Sequence, residues 1–318
     1  MDYDNQTSLK ELILIGFTQN PQTGILLSVM FLFLYMVIIL GNSFMIFTVT
    51  LSPQLHTPMY YFLCNLSFID LCFTSCSIPK ILFDLFFNTR TISVTGCLAQ
   101  MSLSICLGAA ECILLAVMAY DRYIAICSPL YYTTIMSWRV CRSITVIMWL
   151  GSFYFCLTPT IIKPLVFCRG NMLDHISCEI LVVIELACGD LSATKYLLIV
   201  HSFILLLLPL IFIVVTYIFI ITSIVNMQSV QGRSKAFSTC ASHLTVVSMF
   251  YGTILITYTG QARLSSYLKY ISLNYGLVTP VLNPLIYSLR NNEVKEAFKK
   301  ILMKYSYHFR KTNIGLRN

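Results

Sequence analysis

Met118-Ala-Tyr-Asp-Arg-Tyr-Ile-Ala-Ile-Cys127 closes an apolar run that begins near Leu98. Such a run is long enough to cross a bilayer, since about 20 residues of helix span roughly 30 Å of hydrocarbon. Asp121 and Arg122 therefore fall where a membrane gives way to water. Ionisable residues at that depth are costly and tend to face a bundle interior or a water-filled cavity. An arginine snorkelling to the interface, with Asp121 as a surface partner, would occupy the same place. The rest of the chain has to decide between the two.

Working outward, the apolar runs of membrane length number seven: 25–50, 58–83, 97–126, 140–163, 196–225, 236–259 and 270–290. Composition agrees, with 57% hydrophobic and 11% charged residues among 318, where a soluble domain carries roughly 25% charged. None of the runs alternates with period two, which excludes a barrel and predicts an all-α membrane bundle. Only 2 Trp stand beside 19 Tyr, so any interfacial belt is built mainly from tyrosine. Residues 1–24 read as a polar tail without the basic start and long apolar core of a cleavable signal, leaving the first span to act as the insertion signal. Asn5 opens a glycosylation sequon, usable if that tail faces the lumen.

Basic residues set the orientation. With the amino terminus outside, the inner set is Arg122, Arg139, Arg142, Arg233, Lys235, Arg290, Lys295, Lys299, Lys300, Lys304, Arg310, Lys311 and Arg317, which is 13 of 21. That is the asymmetry the positive-inside rule describes. The net charge of +8 thus reflects topology and gives no support to a nucleic-acid partner.

Of 13 cysteines, Cys97, Cys168, Cys178 and Cys188 fall in the outer loops, where an oxidising compartment favours disulfides. Four cysteines allow three pairings, and the residues alone leave the choice open. Zinc is a poor alternative, because the spacings are ten residues and Asp174-His175 adds no compact ligand set. His56, His175, His201, His243 and His308 are scattered without the spacing of a metal cluster or of a base beside a nucleophile, so an enzyme is not expected. A transporter would show duplicated halves with broken helices, and none is visible.

Leu55-His-Thr-Pro-Met-Tyr-Tyr-Phe-Leu63, Met118 to Cys127, Thr216-Tyr217, Lys235-Ala-Phe-Ser-Thr-Cys-Ala-Ser-His-Leu244 and Pro280-Val-Leu-Asn-Pro-Leu-Ile-Tyr-Ser-Leu-Arg-Asn291 follow one another along nearly the whole chain. Together they resemble the olfactory receptors, a branch of the rhodopsin-like (class A) G-protein-coupled receptors. The resemblance implies a seven-transmembrane bundle with an extracellular amino terminus, a short amphipathic eighth helix over 291–304 on the inner leaflet, and a cytoplasmic tail over 305–318. It implies a plasma-membrane protein of olfactory cilia, a small, mostly apolar volatile ligand, and a stimulatory olfactory-type G protein that raises cyclic AMP. The alternative within the class is a receptor for a non-odorant metabolite outside the olfactory epithelium.

The same resemblance implies disulfides Cys97–Cys178 and Cys168–Cys188. Carried over position by position, it puts ligand contacts at Ser104, Ile105, Gly108 and Ala109 of the third helix, His201 and Leu205 of the fifth, and Tyr251 and Tyr258 of the sixth. Ser104, Gly108 and Ala109 share one helical stripe, whose small side chains either leave volume or permit close helix packing. His201 reads equally as a ligand contact and as an interhelical hydrogen-bonder. Amine receptors of the class carry an aspartate where this chain has Ser104. The expected wall therefore has no charged anchor, and the expected ligand is neutral, held by apolar area and one or two hydrogen bonds from Tyr258 or His201.

For the inner switch the resemblance names Asp121, Arg122, Tyr123, Tyr217, Asn283, Pro284 and Tyr287. Arg122 would be held by Asp121 at rest and then released toward the G protein beside Tyr217 and Tyr287. Two departures from the wider class stand out. The inner end of the sixth helix has Arg233 and Lys235 in place of an acid, so the resting lock is expected to be weaker or differently built. The sixth helix also lacks the usual tryptophan and reads Phe250-Tyr251-Gly252, which makes Tyr251 the expected ligand sensor. No cofactor is expected apart from an ion: Asp70 and Glu111 are two carboxylates in the membrane, answered either by a sodium ion, as at the matching aspartate in the class, or by a protonated Glu111.

Overall fold

Apolar chain in lipid can satisfy its backbone only within itself, and helix is the solution that each run adopts. The computed structural model describes residues 9–17, 20–162, 165–168, 170–259, 268–289 and 293–303. The first four long helices are Pro21–Leu51, Pro58–Phe87, Val94–Cys127 and Trp138–Ile162. The fifth, Ser192–Val225, contains a π turn at Phe203–Leu207, and the sixth is Val230–Thr259. These six are apolar and long enough to cross a membrane.

The seventh helix, 268–289, is interrupted twice, by π turns at Asn274–Val278 and Leu285–Leu289. At ~1.5 Å per residue it still covers about 33 Å, so it completes a seven-helix bundle. Both breaks fall where the site needs them, since π turns re-aim side chains at functional positions. An eighth helix covers 293–303.

Local chemistry sets the helix ends. Asn20 accepts from the Gln22 amide at 3.0 Å ahead of Pro21, whose missing N–H costs nothing in a first turn. Ser93 caps the third helix through the Gly96 amide at 3.1 Å. The second helix stops at Asn88, with φ +53°, a conformation that asparagine tolerates.

The first helix meets the seventh closely enough that a Cβ at Gly41 would sit 2.9 Å from Pro284 Cγ. Across the same seam the Asn42 side chain donates to the Pro280 carbonyl at 3.1 Å. Residues such as Leu26, Phe33 and Leu40 point outward from the first helix into what would be lipid.

The amino-terminal segment holds a surprise. Leu12-Ile-Leu-Ile15 reads as a short apolar patch in a polar tail, yet Glu11–Leu14 is a strand, β1. It pairs antiparallel with β2, Thr91–Ser93, in the register Leu12↔Ile92, and parallel with β4, Met172–Leu173. Leu12 and Leu14 are buried beneath the loop joining the fourth and fifth helices. A second pair, β3 Val166–Phe167 with β5 Ala187–Cys188, folds that loop back on itself. The eighth helix lies at the other end of the bundle, where Lys300 reaches Gln54 at 3.1 Å and Phe298 packs against Phe44. The segments leading into the first helix and out of the seventh therefore stand at opposite ends.

Candidate functional site

The outer loop is pinned at two places. Cys97 is bonded to Cys178, with Cα atoms 5.3 Å apart, and Cys168 to Cys188, with 5.9 Å. Gln100 reinforces the first bridge, accepting from the Cys178 amide at 2.9 Å while donating to the Cys76 carbonyl at 3.0 Å. Beneath this roof lies a cavity of about 180 Å³ among the second, third, fifth, sixth and seventh helices. Ligand pockets for drug-sized molecules run to several hundred Å³, so this one suits something smaller.

Ser104, Ile105, Gly108, Ala109, His201 and Leu205 all line it. A Cβ built on Gly108 would meet nothing within 4 Å, so that glycine leaves volume and is not required for helix packing. The π turn of the fifth helix begins just after His201 and carries Leu205 and Leu206 into the wall. The first π turn of the seventh helix does the same for Tyr275, Gly276 and Leu277. His201 also touches its neighbours, with Nε2 3.4 Å from the Thr158 hydroxyl and its ring edge-on to Phe155 at 4.9 Å. Both readings of that histidine thus have a physical basis.

Two expectations need correction. Tyr251 does not line the cavity: it is buried, and its hydroxyl donates to the Cys112 carbonyl at 3.1 Å, leaving Phe250 and Ile254 to supply the wall. A sixth helix turned this way satisfies a phenol that would otherwise be stranded in hydrocarbon. Nor is the wall free of charged groups. The loop brings in Glu179 and the third helix brings in Glu111. The side chain of Tyr258, and Asn5, lie outside the described residues.

Below the cavity the polar residues of four helices converge. Asp70 accepts from the Asn283 amide at 2.9 Å. Asp70 Oδ1, Glu111 Oε1 and Asn283 Oδ1 are buried and have no hydrogen-bond partner among the described residues. Towards the eighth-helix end, Tyr217 and His243 form a buried pair, with the hydroxyl 2.8 Å from Nδ1 and the rings stacked at 12°. Arg122 lies within electrostatic reach of Tyr217, Cys240, His243 and Tyr287. Tyr123 packs against Phe219 of the fifth helix. Pro284 forms the contact with Gly41 described above.

Asp121 and Arg122 do not form the expected pair. Among the described residues no ion pair joins them, and Asp121 instead accepts from the Tyr132 hydroxyl at 2.8 Å. Tyr132 sits in the loop after the third helix, where burial and then the adjacent Asp121 carboxylate push its hydroxyl well above the ordinary tyrosine range. It stays protonated and can keep donating. Asp121 is only 2% exposed, so it is not the surface partner of a snorkelling arginine.

A family model described as olfactory receptor matches residues 31–305. The chain belongs to the olfactory receptor family. Human olfactory receptor 13C9 is 46% identical over 310 residues, covering 95% of this chain and 98% of that protein. Human olfactory receptor 13C2 is 44% identical over 311 residues, with the same coverage of 95% and 98%. Among solved structures, squid rhodopsin superposes with a TM-score of 0.66 at 18% identity, covering 92% of this chain and 91% of that one, a likeness of fold. This olfactory receptor is therefore a multi-pass plasma-membrane G-protein-coupled receptor and not an enzyme, a protein that takes an odorant and couples to a G protein.

Sequence reasoning missed three residues of the site. His243 was visible inside the sixth-helix motif, though only as one of five scattered histidines. His175 was weighed only against a zinc site and Glu179 was not singled out at all, and the contacts of both depend on Ser272, nearly a hundred residues away.

Proposed function

We propose that the receptor binds a small, mostly apolar volatile molecule in the cavity beneath the Cys97–Cys178 bridge and activates a stimulatory olfactory-type G protein, raising cyclic AMP. The observation that carries the reading is the cavity itself: a small, mainly apolar chamber with a few convergent polar groups, roofed by a cross-linked loop and floored by Phe250 and Glu111. On this reading the loop end faces outward and the eighth helix rests on the inner leaflet. Val294, Ala297 and Ile301 are buried against the bundle, while Lys295 and Lys299 are exposed.

Ligand occupancy shifts the sixth helix because Phe250 lines the cavity and Tyr251, its neighbour, is bonded to the third helix at Cys112. Seven residues further toward the inner end, His243 is held by Tyr217 beside Arg122. A small rotation at one end therefore changes the surroundings of the guanidinium at the other. Cells supplying the olfactory stimulatory G protein should show ligand-dependent cyclic AMP without uptake of labelled ligand; uptake without signalling would refute the reading.

A sodium ion at Asp70 and Glu111 belongs to the same proposal. The residues fit it, because hard cations take oxygen donors, and Asp70 Oδ1, Glu111 Oε1 and Asn283 Oδ1 are buried with no hydrogen-bond partner among the described residues. When bound, the ion would supply the positive charge that two buried carboxylates lack. A proton on Glu111 would meet the same need, and basal signalling that ignores sodium would favour the proton.

A further inference from the structure

Glu179 is a wall residue to which none of the roles above has been given. It follows Cys178 directly, so the bridge to Cys97 and the Gln100 contact fix the backbone beside it. Its side chain is 14% exposed. Oε2 is occupied twice: the Ser272 hydroxyl donates to it at 2.8 Å, and His175 Nε2 stands 3.2 Å away. Both partners are buried, and Ser272 lines the cavity too. Among the described residues Oε1 accepts no hydrogen bond. A carboxylate oxygen can only accept, so what it can hold is a donor.

The remaining electrostatics point the same way. Among the described residues no lysine or arginine lines the cavity, whereas Glu111 stands at its floor with a buried, unpartnered Oε1. Lys269, one turn from Ser272 on the seventh helix, is committed to Asp174 at 2.8 Å and to the Gly16 carbonyl at 3.3 Å. An anionic head group would meet the Glu179 carboxylate with no basic side chain of the lining to offset it. One that donates would find an acceptor held in place by two side chains and a disulfide.

We propose that Glu179 is the polar anchor of the odorant cavity and selects ligands whose head group donates a hydrogen bond, alcohols and protonated amines, over ethers and carboxylic acids. His175 and Ser272 act as positioning residues that hold Oε2 and leave Oε1 for the ligand. The inference rests on the cavity being the odorant site and names the chemistry that site would read.

The test uses sets of alcohol, primary amine, methyl ether and carboxylic acid sharing one carbon skeleton, repeated over linear, branched and aromatic skeletons. Binding is read as thermal stabilisation of the purified full-length receptor, and signalling as cyclic AMP in cells. Wild type should bind the alcohol and amine at least about tenfold more tightly than the matched ether and acid, the weight of one charge-assisted hydrogen bond. Glu179→Gln should weaken the amine by about tenfold more than the alcohol, and Glu179→Met should erase the preference for donors. Where the Glu179 variants fail to fold, Ser272→Ala, which keeps the carboxylate but releases Oε2, should at least halve the alcohol-to-ether ratio on the same argument.

Acids binding as tightly as alcohols, a donor preference that survives Glu179→Met, a ratio unchanged in Ser272→Ala, or no stabilisation by any member of the sets would each overturn the proposal. Stabilisation that depends on Glu179 without any cyclic AMP response would support the anchor and sink the signalling reading, so the two fail separately.

Discussion

The outer and inner halves of this bundle treat buried polar groups in opposite ways. In the outer half, Gln100, His175, Ser272 and Glu179 are tied into hydrogen bonds, and two disulfides hold the loop that carries two of them. In the inner half and at the midplane, Asp70 Oδ1, Glu111 Oε1, Asn283 Oδ1 and the Tyr287 hydroxyl are buried and find no hydrogen-bond partner among the described residues. A buried polar group left without any partner costs about 1–3 kcal/mol, so each of these positions calls for an explanation. The contrast assigns the two halves different work. One is a cross-linked frame around a cavity, and the other is a packed core that gathers buried polar side chains from several helices.

The comparison can be broken from the outer side first. Replacing both Cys97 and Cys178 by serine removes a cross-link between residues 81 apart. In the chain-entropy model that costs about 4–5 kcal/mol, and the expected outcome is loss of folded receptor from the cell surface. Surface staining equal to wild type would mean that the frame does not depend on this bridge. Gly108→Leu comes next. The open space beside that glycine should accept the side chain with little cost in stability, while ligand responses fall by about a hundredfold or more, as expected for a filled pocket (~2.7 kcal/mol). A variant with normal responses would show that the cavity is not the site.

The inner half is sharpened by Tyr217→Phe, which removes the hydroxyl bonded to His243 Nδ1. Thermal stability of the purified receptor should drop by about 1–3 kcal/mol, with ligand affinity unchanged. A shift in affinity with intact stability would contradict the division of labour. The smallest effect belongs to Lys235→Ala. Lys235 faces Glu293 at 3.9 Å, with side chains 84% and 59% exposed. A pair so open to water contributes little, so basal cyclic AMP should stay within assay scatter of wild type, and a large rise would make the pair a lock.

How much of this was legible in the residues depends on the range over which the physics acts. The spans were legible, because crossing hydrocarbon demands an unbroken apolar run and each helix answers to its own sequence. Ser104, Gly108 and His201 were expected at the ligand by resemblance to the family, helical spacing adding only that Ser104 and Gly108 share a face, and all three line the cavity. The β1 strand was not legible, since four residues give too short an alternation and its partners lie in two distant loops. Nor were the π turns of the fifth and seventh helices, which leave no mark on the apolar pattern of those runs. Tyr251 was misread as lining because a sixth helix rotated by one residue exchanges it with Phe250, and only the Cys112 carbonyl decides that rotation. Arg122 was expected on Asp121, its neighbour in sequence, whereas the competitor for that carboxylate, Tyr132, comes from the following loop.

The central claim is that occupancy of the outer cavity is read out through Arg122 at the inner end. Its most direct test runs one panel of volatile alcohols and amines on wild type and on Arg122→Ala in parallel, reading thermal stabilisation and cyclic AMP for each compound. The account predicts that the variant is stabilised by the same compounds as wild type while its cyclic AMP response disappears. A variant that still signals, or one that loses binding together with signalling, would contradict it.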